Sequence, residues 1–410
     1  MANTFLTPTW LTMESLRILV NKLQVAQFFN TDYNKEFTRE FPVGETVQVK
    51  LPQRFLVREG LGYNPQAINR INTTVTVDQI FGVDFEWDSA EAALKVERGE
   101  ERVKREYIEP AMAQLAQEID SRAALFAYQN ANNIVGVLGT DPTTLDSISG
   151  AARQRLIEKA CPPSNDKGMI VPPSVERAMV AAGVGYFNPS SDISRQYKEG
   201  SMGRQGGFDW YSSMSLYRHT AGTWAGAVTV NGASQSGASL NINCTSGDTF
   251  KKGDVFSIAS VYAVNPSTRR ATTTLQQFVV TADVTASGTT ATLAISPAIY
   301  GPGSQYQNVD ALPGNTAALT LFPGTTSPSG KVGTNGLALH RNAFAMVGVK
   351  LEVPKAVELA SQTRDPDTGI SVRFIRQFDP IQSKMVNRFD VLLGFGNLYP
   401  DNCAVRILSA

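Results

Sequence analysis

Hydrophobic and polar positions change period several times along the chain, and each change marks a candidate element. Over residues 13–28, Leu16, Leu19, Val20 and Leu23 fall at helical spacing while Lys22 and Gln24 lie off the stripe, which predicts an amphipathic helix. Its apolar face needs a cover, from its own domain or from a neighbouring subunit. From 45 to 51 the period drops to two: Val47, Val49 and Leu51 alternate with Thr46, Gln48 and Lys50, as a half-buried strand requires. A second strand is predicted over 71–77. Between them, Arg58-Glu59-Gly60-Leu61-Gly62-Tyr63-Asn64-Pro65 has the glycines and proline of an extended tip, so the segment reads as a long hairpin. Two strands alone are only marginally stable, so the ribbon is expected to rest on another subunit.

Residues 90–131 carry the strongest helical pattern. Glu91, Glu97, Glu100 and Glu101 interleave with Lys95, Arg98, Arg102, Lys104 and Arg105, setting opposite charges three or four residues apart as on a solvated helix face. Pro110 is expected to begin or kink a helix, and Met112, Leu115, Ile119, Leu125 and Phe126 supply the apolar face beyond it. Helical patterns at 148–160 and 173–183, around the apolar run Met169-Ile170-Val171, predict an α+β domain. The cluster Gly200, Gly203, Gly206 and Gly207 reads as a mobile loop, since no strong strand precedes it and no helix follows it as a phosphate cradle would need.

The grammar then changes. Between 221 and 340 only nine of 120 residues are Asp, Glu, Lys or Arg, and β-favouring runs at 225–230, 255–264, 277–284 and 290–295 are separated by Gly, Asn, Pro and Ser. This predicts a small β-barrel or sandwich inserted into the α+β domain. Helical spacing returns at 352–360, followed by strands at 370–378 and 386–395. Arg364-Asp365-Pro366-Asp367-Thr368-Gly369 lacks the remaining ligands of a calcium loop and is read as a turn between helix and strand.

Composition narrows the function. A chain of 410 residues calls for two or three domains, or one with a large insertion. Its 37 basic and 37 acidic residues cancel, which argues against a dedicated nucleic-acid reader. Only His219 and His340 are present, which excludes a multi-histidine metal site and leaves little room for a histidine-based triad. They flank the insertion and could meet in space, yet ordinary hydrogen-bonding roles are expected of both. No G-x-S-x-G elbow occurs, and Gly330-Lys331 is followed by Val332, so the P-loop pattern is absent too. Cys161, Cys244 and Cys403 are odd in number, have no metal-like spacing and read as ordinary thiols of a reducing compartment. No catalytic, cofactor-binding or metal-binding residue is predicted, and neither a signal peptide nor a membrane span is expected.

The order of parts, with Asp84-Phe85-Glu86-Trp87 leading into the helix, Gly207-Phe208-Asp209-Trp210 before the insertion and Leu393-Gly394-Phe395-Gly396-Asn397-Leu398-Tyr399-Pro400-Asp401-Asn402-Cys403-Ala404-Val405 at the end, resembles the major capsid proteins of tailed phages. The resemblance covers essentially the whole chain. More specifically, it points to the coat proteins of short-tailed phages that carry an extra inserted domain. It implies an N-terminal arm at 1–40, an extended loop at 41–84, a peripheral domain with a spine helix at 85–134, the first part of an axial domain at 135–220, the inserted β domain at 221–340, and strands returning to the peripheral and axial domains at 341–410. The implied function is a subunit that assembles with itself, as hexamers and pentamers, into an icosahedral shell around double-stranded DNA held without sequence specificity. Scaffolding and portal proteins are the implied partners, and assembly in the bacterial host's cytoplasm is the implied setting. Arg58, Glu59, Leu61, Tyr63, Arg269 and Arg270 are the candidate contacts between subunits, and Glu14 and Asp32 the candidate scaffolding contacts. No covalent crosslink is expected at Lys50. The alternative is a β-rich receptor-binding or adhesive phage protein.

Overall fold

The computed structural model describes residues 8–33, 46–50, 52–57, 60–62, 65–66, 68, 72–88, 104–137, 139, 142, 144, 146–183, 203–224, 226–322, 330–354, 357–381 and 383–409. The chain divides into two compact units: Met1–Val49, Asn72–Ala123 and Phe344–Asn397 in one, and Lys50–Ile71, Ala124–Ala343 and Leu398–Ala410 in the other.

In the first unit, strand Lys384–Asn397 organises a six-stranded antiparallel sheet. Strand Asn72–Asp88 runs along one side of it, from Val75 opposite Gly396 to Asp88 opposite Lys384. The other side is shared, Ser371–Asp379 pairing with its first part and Phe344–Val349 with Leu392 to Asn397. Thr46–Lys50 and Leu359–Arg364 form the two edges. The strand expected over 71–77 therefore continues to Asp88, and the early ribbon rests on the chain's own sheet instead of needing another subunit. Its backbone groups are satisfied by a strand 296 to 321 positions later in sequence, which no local pattern could announce. Residues 352–360 hold no helix among the described residues: Leu359 opens a strand, and the turn at Asp365 joins two strands, its carboxylate accepting from the Thr368 amide at 2.8 Å.

The first helix spans Pro8–Lys22, starting and ending earlier than the expected 13–28. It stops because buried Asp120 accepts the amides of Gln24, Val25 and Ala26 at 2.7, 3.0 and 2.9 Å, offering those groups a partner outside the helix. Burial raises the Asp120 pKa, and the three amide bonds pull it back down only in part. Leu16, Ile18, Leu19 and Leu23 are buried, Val20 is not, and Thr12 Oγ1 lies 2.8 Å from Thr363 Oγ1, so the cover is the unit's own sheet. The long helix is Glu109–Asn130, entered through a π turn at Lys104–Ile108. Pro110 sits at its second position, directly after the π turn, and Met112, Leu115 and Ile119 are buried while Leu125 and Phe126 are half-buried. Most of the charge run lies in residues 89–103, outside the described residues.

The second unit holds two larger sheets. One is seven-stranded and mixed, ordered Asn133–Gly136, Ala404–Leu408, Val332–His340, Lys167–Val171, Phe208–Ser212 and Arg204–Gln205, with Arg218–Thr220 also on Val332–His340. Helices Ala151–Glu158 and Pro173–Gly183 contribute Leu156, Val175 and Met179 to a core with Met169, Phe208 and Ile407. Of the glycine cluster, Gly200 lies outside the described residues, and Gly206 and Gly207, with φ of 63° and 87°, make the two-residue turn of a hairpin between Arg204–Gln205 and Phe208–Ser212.

The other sheet runs Leu319–Leu321, Val255–Val264, Ala271–Val280, Thr290–Ile299, Gly237–Asn243 and Thr229–Val230. Its first and last members meet, the Leu319 amide donating to Val228 O and the Val230 amide to Ala317 O, both at 2.9 Å, with Thr229 bridged to Ala318. The predicted barrel or sandwich is thus a closed barrel, filled by Trp224, Ile242, Phe250, Phe256, Phe278 and Leu293. Its own strands end at Leu321. Residues 332–340, read as part of the insertion, are instead the central strand of the mixed sheet, because their apolar run is flanked on both sides by strands of that sheet.

Candidate functional site

The candidate contact residues divide. Arg58, Glu59 and Tyr63 lie outside the described residues. Leu61, between Gly60 and Gly62, is 101% exposed, and Phe55, Val57 and Ile68 are exposed at 64%, 95% and 70%. Four large apolar side chains in one connecting segment are not accounted for by the fold of the chain around them. The segment nonetheless has internal order: the Gln66 side-chain amide donates to Leu56 O at 2.5 Å and accepts from the Leu56 amide at 2.7 Å, standing in for a strand partner.

Arg269 and Arg270 have different fates. Asn265 Oδ1 accepts the amides of Ser267 and Thr268, and the turn so made puts Arg269 at φ 56°. Arg269 is half-buried and donates to the carbonyls of Ser304 and Gln305, while the Gln305 side chain donates to Arg54 O. It therefore ties down its own unit, and Arg270 is the exposed member of the pair. Glu14 forms an ion pair with Arg17 at 2.6 Å, and Asp32 is exposed.

Two buried polar centres went unread in the sequence. In the first, Arg406, 1% exposed, donates to Tyr128 O, Gly253 O and Asn335 Oδ1 at 3.2, 2.6 and 3.1 Å and lies 4.5 Å from the centre of the Tyr128 ring. The Tyr128 hydroxyl donates to His219 Nδ1, and His219 Nε2–H donates to Asp254 at 2.7 Å. Asp254 also accepts the amides of Gly222 and Lys251, which fixes it as the acceptor and so fixes the histidine tautomer. The arrangement has the order of a nucleophile, base and orienting acid. Burial, however, raises the phenol pKa and lowers that of His219, and all three side chains are enclosed, so the chain of bonds serves as a packed connection between barrel and mixed sheet.

In the second centre Lys159, 3% exposed, places Nζ 3.1 Å from Asp401 Oδ1 and 2.5 Å from Gln276 Oε1, and Asn132 Nδ2 donates to Asp401 at 2.7 Å. Burial raises the Asp401 pKa, but Lys159 and the Asn132 and Gln276 amides outweigh it and hold the carboxyl below its ordinary range. No spacing in the sequence links these residues; the strand Ala271–Val280 and the turn Pro400–Cys403 bring them together.

The two histidines do not share partners: His219 belongs to the first centre, whereas His340 Nε2 lies 2.6 Å from Ser164 Oγ. His340 also has Cys161 and Cys403 as neighbours, a grouping that cysteine spacing did not indicate. No helix among the described residues is long and apolar enough to cross a membrane.

A family model described as P22 coat protein, gene protein 5, matches residues 45–408. No curated protein matches. Among solved structures, one from Mycobacterium phage Che8 is 13% identical with a TM-score of 0.46, the match covering 94% of this chain and 90% of that one. The capsid structure of cyanophage P-SCSP1u is 12% identical with a TM-score of 0.42, covering 91% and 85%. The CUS-3 coat protein I-domain is 30% identical over 23% of this chain and 95% of that one, with a TM-score of 0.19. With the family match running through the loop strands, the long helix, the barrel and the mixed sheet, the chain belongs to the P22 coat protein family and is a structural capsid subunit, not an enzyme.

Proposed function

We propose that copies of this coat protein close into an icosahedral shell around packaged double-stranded DNA, with hexamers and pentamers as its repeating groups. The observation that carries this reading is the family match over residues 45–408. Segment 41–84 is the extended loop that reaches a neighbour, a role supported by the exposed Phe55, Val57, Leu61 and Ile68. Residues 85–134 form the peripheral domain and 135–220 the first part of the axial domain; the insertion, expected over 221–340, keeps its barrel strands up to Leu321, and the strands from Val332 onward return to the rest of the chain. Contacts that contribute little singly become strong when repeated around closed symmetry. Equal numbers of basic and acidic residues let like subunits meet without strong repulsion and favour DNA that is enclosed without sequence recognition. A scaffolding protein directs closure, with Glu14 and Asp32 as candidate contacts, a portal protein occupies one vertex, and assembly takes place in the host cytoplasm.

Electron microscopy of the full chain, expressed with and without a scaffolding protein, tests the reading. Closed shells of uniform diameter are expected with the scaffold. A chain that stays monomeric under both conditions overturns the proposal.

A further inference from the structure

Strand register brings together three residues that no sequence spacing links. Val332–His340 pairs with Ala404–Leu408 so that Leu339 faces Ala404, and with Lys167–Val171 so that His340 faces Lys167. One step beyond Leu339 and Ala404 stand His340 and Cys403, the latter closing the turn Pro400–Cys403. Cys161 arrives from the end of helix Ala151–Glu158, its amide donating to Leu156 O at 2.9 Å through a turn in which Ala160 adopts φ 55°. Two sulfurs and one ring nitrogen thus lie within 4.8 Å of one another.

We propose that Cys161, His340 and Cys403 form a binding site for Zn2+, which pins the end of that helix, the end of the central strand and the start of the last strand to one another. Two thiolates and an imidazole are the donor set of three-residue zinc sites, with water in the fourth position. Around a tetrahedral zinc the donors stand about 3.3–3.8 Å apart, from bonds of about 2.3 Å to sulfur and about 2.0 Å to nitrogen. A grouping within 4.8 Å needs to contract by only about 1 Å, within reach of side-chain rotation.

Charge also favours the ion. Zinc with two thiolates and a neutral imidazole is uncharged overall, so burying it avoids the cost of burying a net charge. Lys167 pairs with His340 across the sheet and adds a positive charge at this end of it. The Asn342 amide donates to His340 Nδ1 at 3.1 Å, which assigns the ring proton to Nε2, facing Ser164. Ligation through one ring nitrogen leaves the other for the outer hydrogen bond that metal-bound imidazoles commonly make. Cys403 and His340 are buried and Cys161 is half-buried. Sulfur donors disfavour magnesium and calcium.

The test uses the full-length subunit purified under reducing conditions. Its zinc content is measured by mass spectrometry, its Zn2+ affinity by competition with a chromophoric chelator, and Co2+ is titrated as a spectroscopic substitute. The proposal expects one zinc per chain, a thiolate-to-cobalt charge-transfer band with the visible spectrum of a tetrahedral site, and a thermal midpoint that rises with Zn2+. Cys161→Ser, at the most accessible donor, should weaken Zn2+ by more than about 100-fold, since losing an outer-shell partner alone costs about 10- to 100-fold. Unchanged Zn2+ affinity in Cys161→Ser, or wild-type protein titrated with Co2+ that shows no charge-transfer band, overturns it. The wild-type cobalt spectrum decides the matter even where Cys161→Ser fails to fold.

Discussion

The ammonium of Lys159 lies 3.1 Å from a carboxylate oxygen of Asp401, and Gln276 from the barrel strand Ala271–Val280 closes over the pair. An ion pair in this setting contributes little net energy when intact, but removing one partner strands the other. Lys159→Met should therefore destabilise the subunit by about 2–4 kcal/mol, slightly less than for a fully buried pair because Asp401 keeps some exposure. Adding Asp401→Asn should recover part of the loss. Urea unfolding of the free subunit measures both, and additive losses in the double variant would argue against coupling.

His219 predicts a pH dependence. Burial is the largest influence and lowers its pKa, with the Asp254 bond opposing it, so the folded state holds a neutral ring that the unfolded chain protonates at about 6.5. The unfolded state then binds more protons below that value, and stability is lost as pH falls from about 6.5 toward the lowered folded pKa. His340 acts with the same sign. His219→Gln should be less stable than wild type at pH 7 yet show a shallower decline between about pH 6.5 and 5, followed by circular dichroism during urea unfolding at each pH.

Gly253 and Gly60 share a left-handed backbone, with φ of 95° and 81°, but not surroundings. A Cβ on Gly253 would stand 2.6 Å from Cζ of buried Tyr128, whereas one on Gly60 meets nothing within 4 Å. Gly60→Ala should cost only the backbone penalty of about 1 kcal/mol. Gly253→Ala should cost about 3 kcal/mol or more, since it adds overpacking against a ring held by Arg406 and His219. Equal thermal shifts for the two variants would contradict this account.

Leu61 is exposed in the free subunit and should be covered in the shell. Covering such a side chain contributes about 1.5–3 kcal/mol per copy, repeated at every subunit. Leu61→Ser should leave subunit unfolding unchanged and reduce shell yield in sedimentation, and deletion of 60–66, which also removes the Gln66 contacts to Leu56, should still spare subunit folding. Normal yield with unaltered shell stability would remove the loop from the contact.

Arg269 and Arg270 should separate in the same pair of assays. Arg269→Ala removes two carbonyl contacts that hold the 304–305 turn and should cost about 1 kcal/mol in the subunit. Arg270→Ala should change subunit stability by less than about 0.5 kcal/mol, and any effect should appear in assembly and weaken with salt. Assembly that is indifferent to Arg270→Ala at all salt concentrations would leave Arg270 a solvated surface residue.

Alternation and apolar periodicity placed many elements correctly: Thr46–Lys50, Lys167–Val171, Val255–Val264, Ser371–Asp379 and Lys384–Asn397 all form where the pattern changes to strand, and Pro110 sits at a helix start. These signals are local, because side-chain direction repeats every two residues in a strand and every 3.6 in a helix. The charge-poor stretch was legible for the same reason, a barrel interior needing alternating apolar residues and turns between them. Helical spacing at 352–360 failed because a short window holds too few turns to outweigh pairing with Ser371–Asp379.

Tertiary structure alone decided what pairing and register control. It placed residues 332–340 at the centre of the mixed sheet, carried the Asn72 strand on to Asp88, turned Arg269 inward, and set Lys159 on Asp401 and Tyr128 on His219. It also brought Cys161, His340 and Cys403 to one point. In each case the partners lie far apart in sequence, and for those on strands which residues meet depends on register, since a slip of one residue turns a strand side chain to the opposite face. The sequence by itself determined the kinds of element and the family. Their non-local pairing, and with it the buried polar centres around Arg406 and Asp401, was determined only when the chain closed on itself.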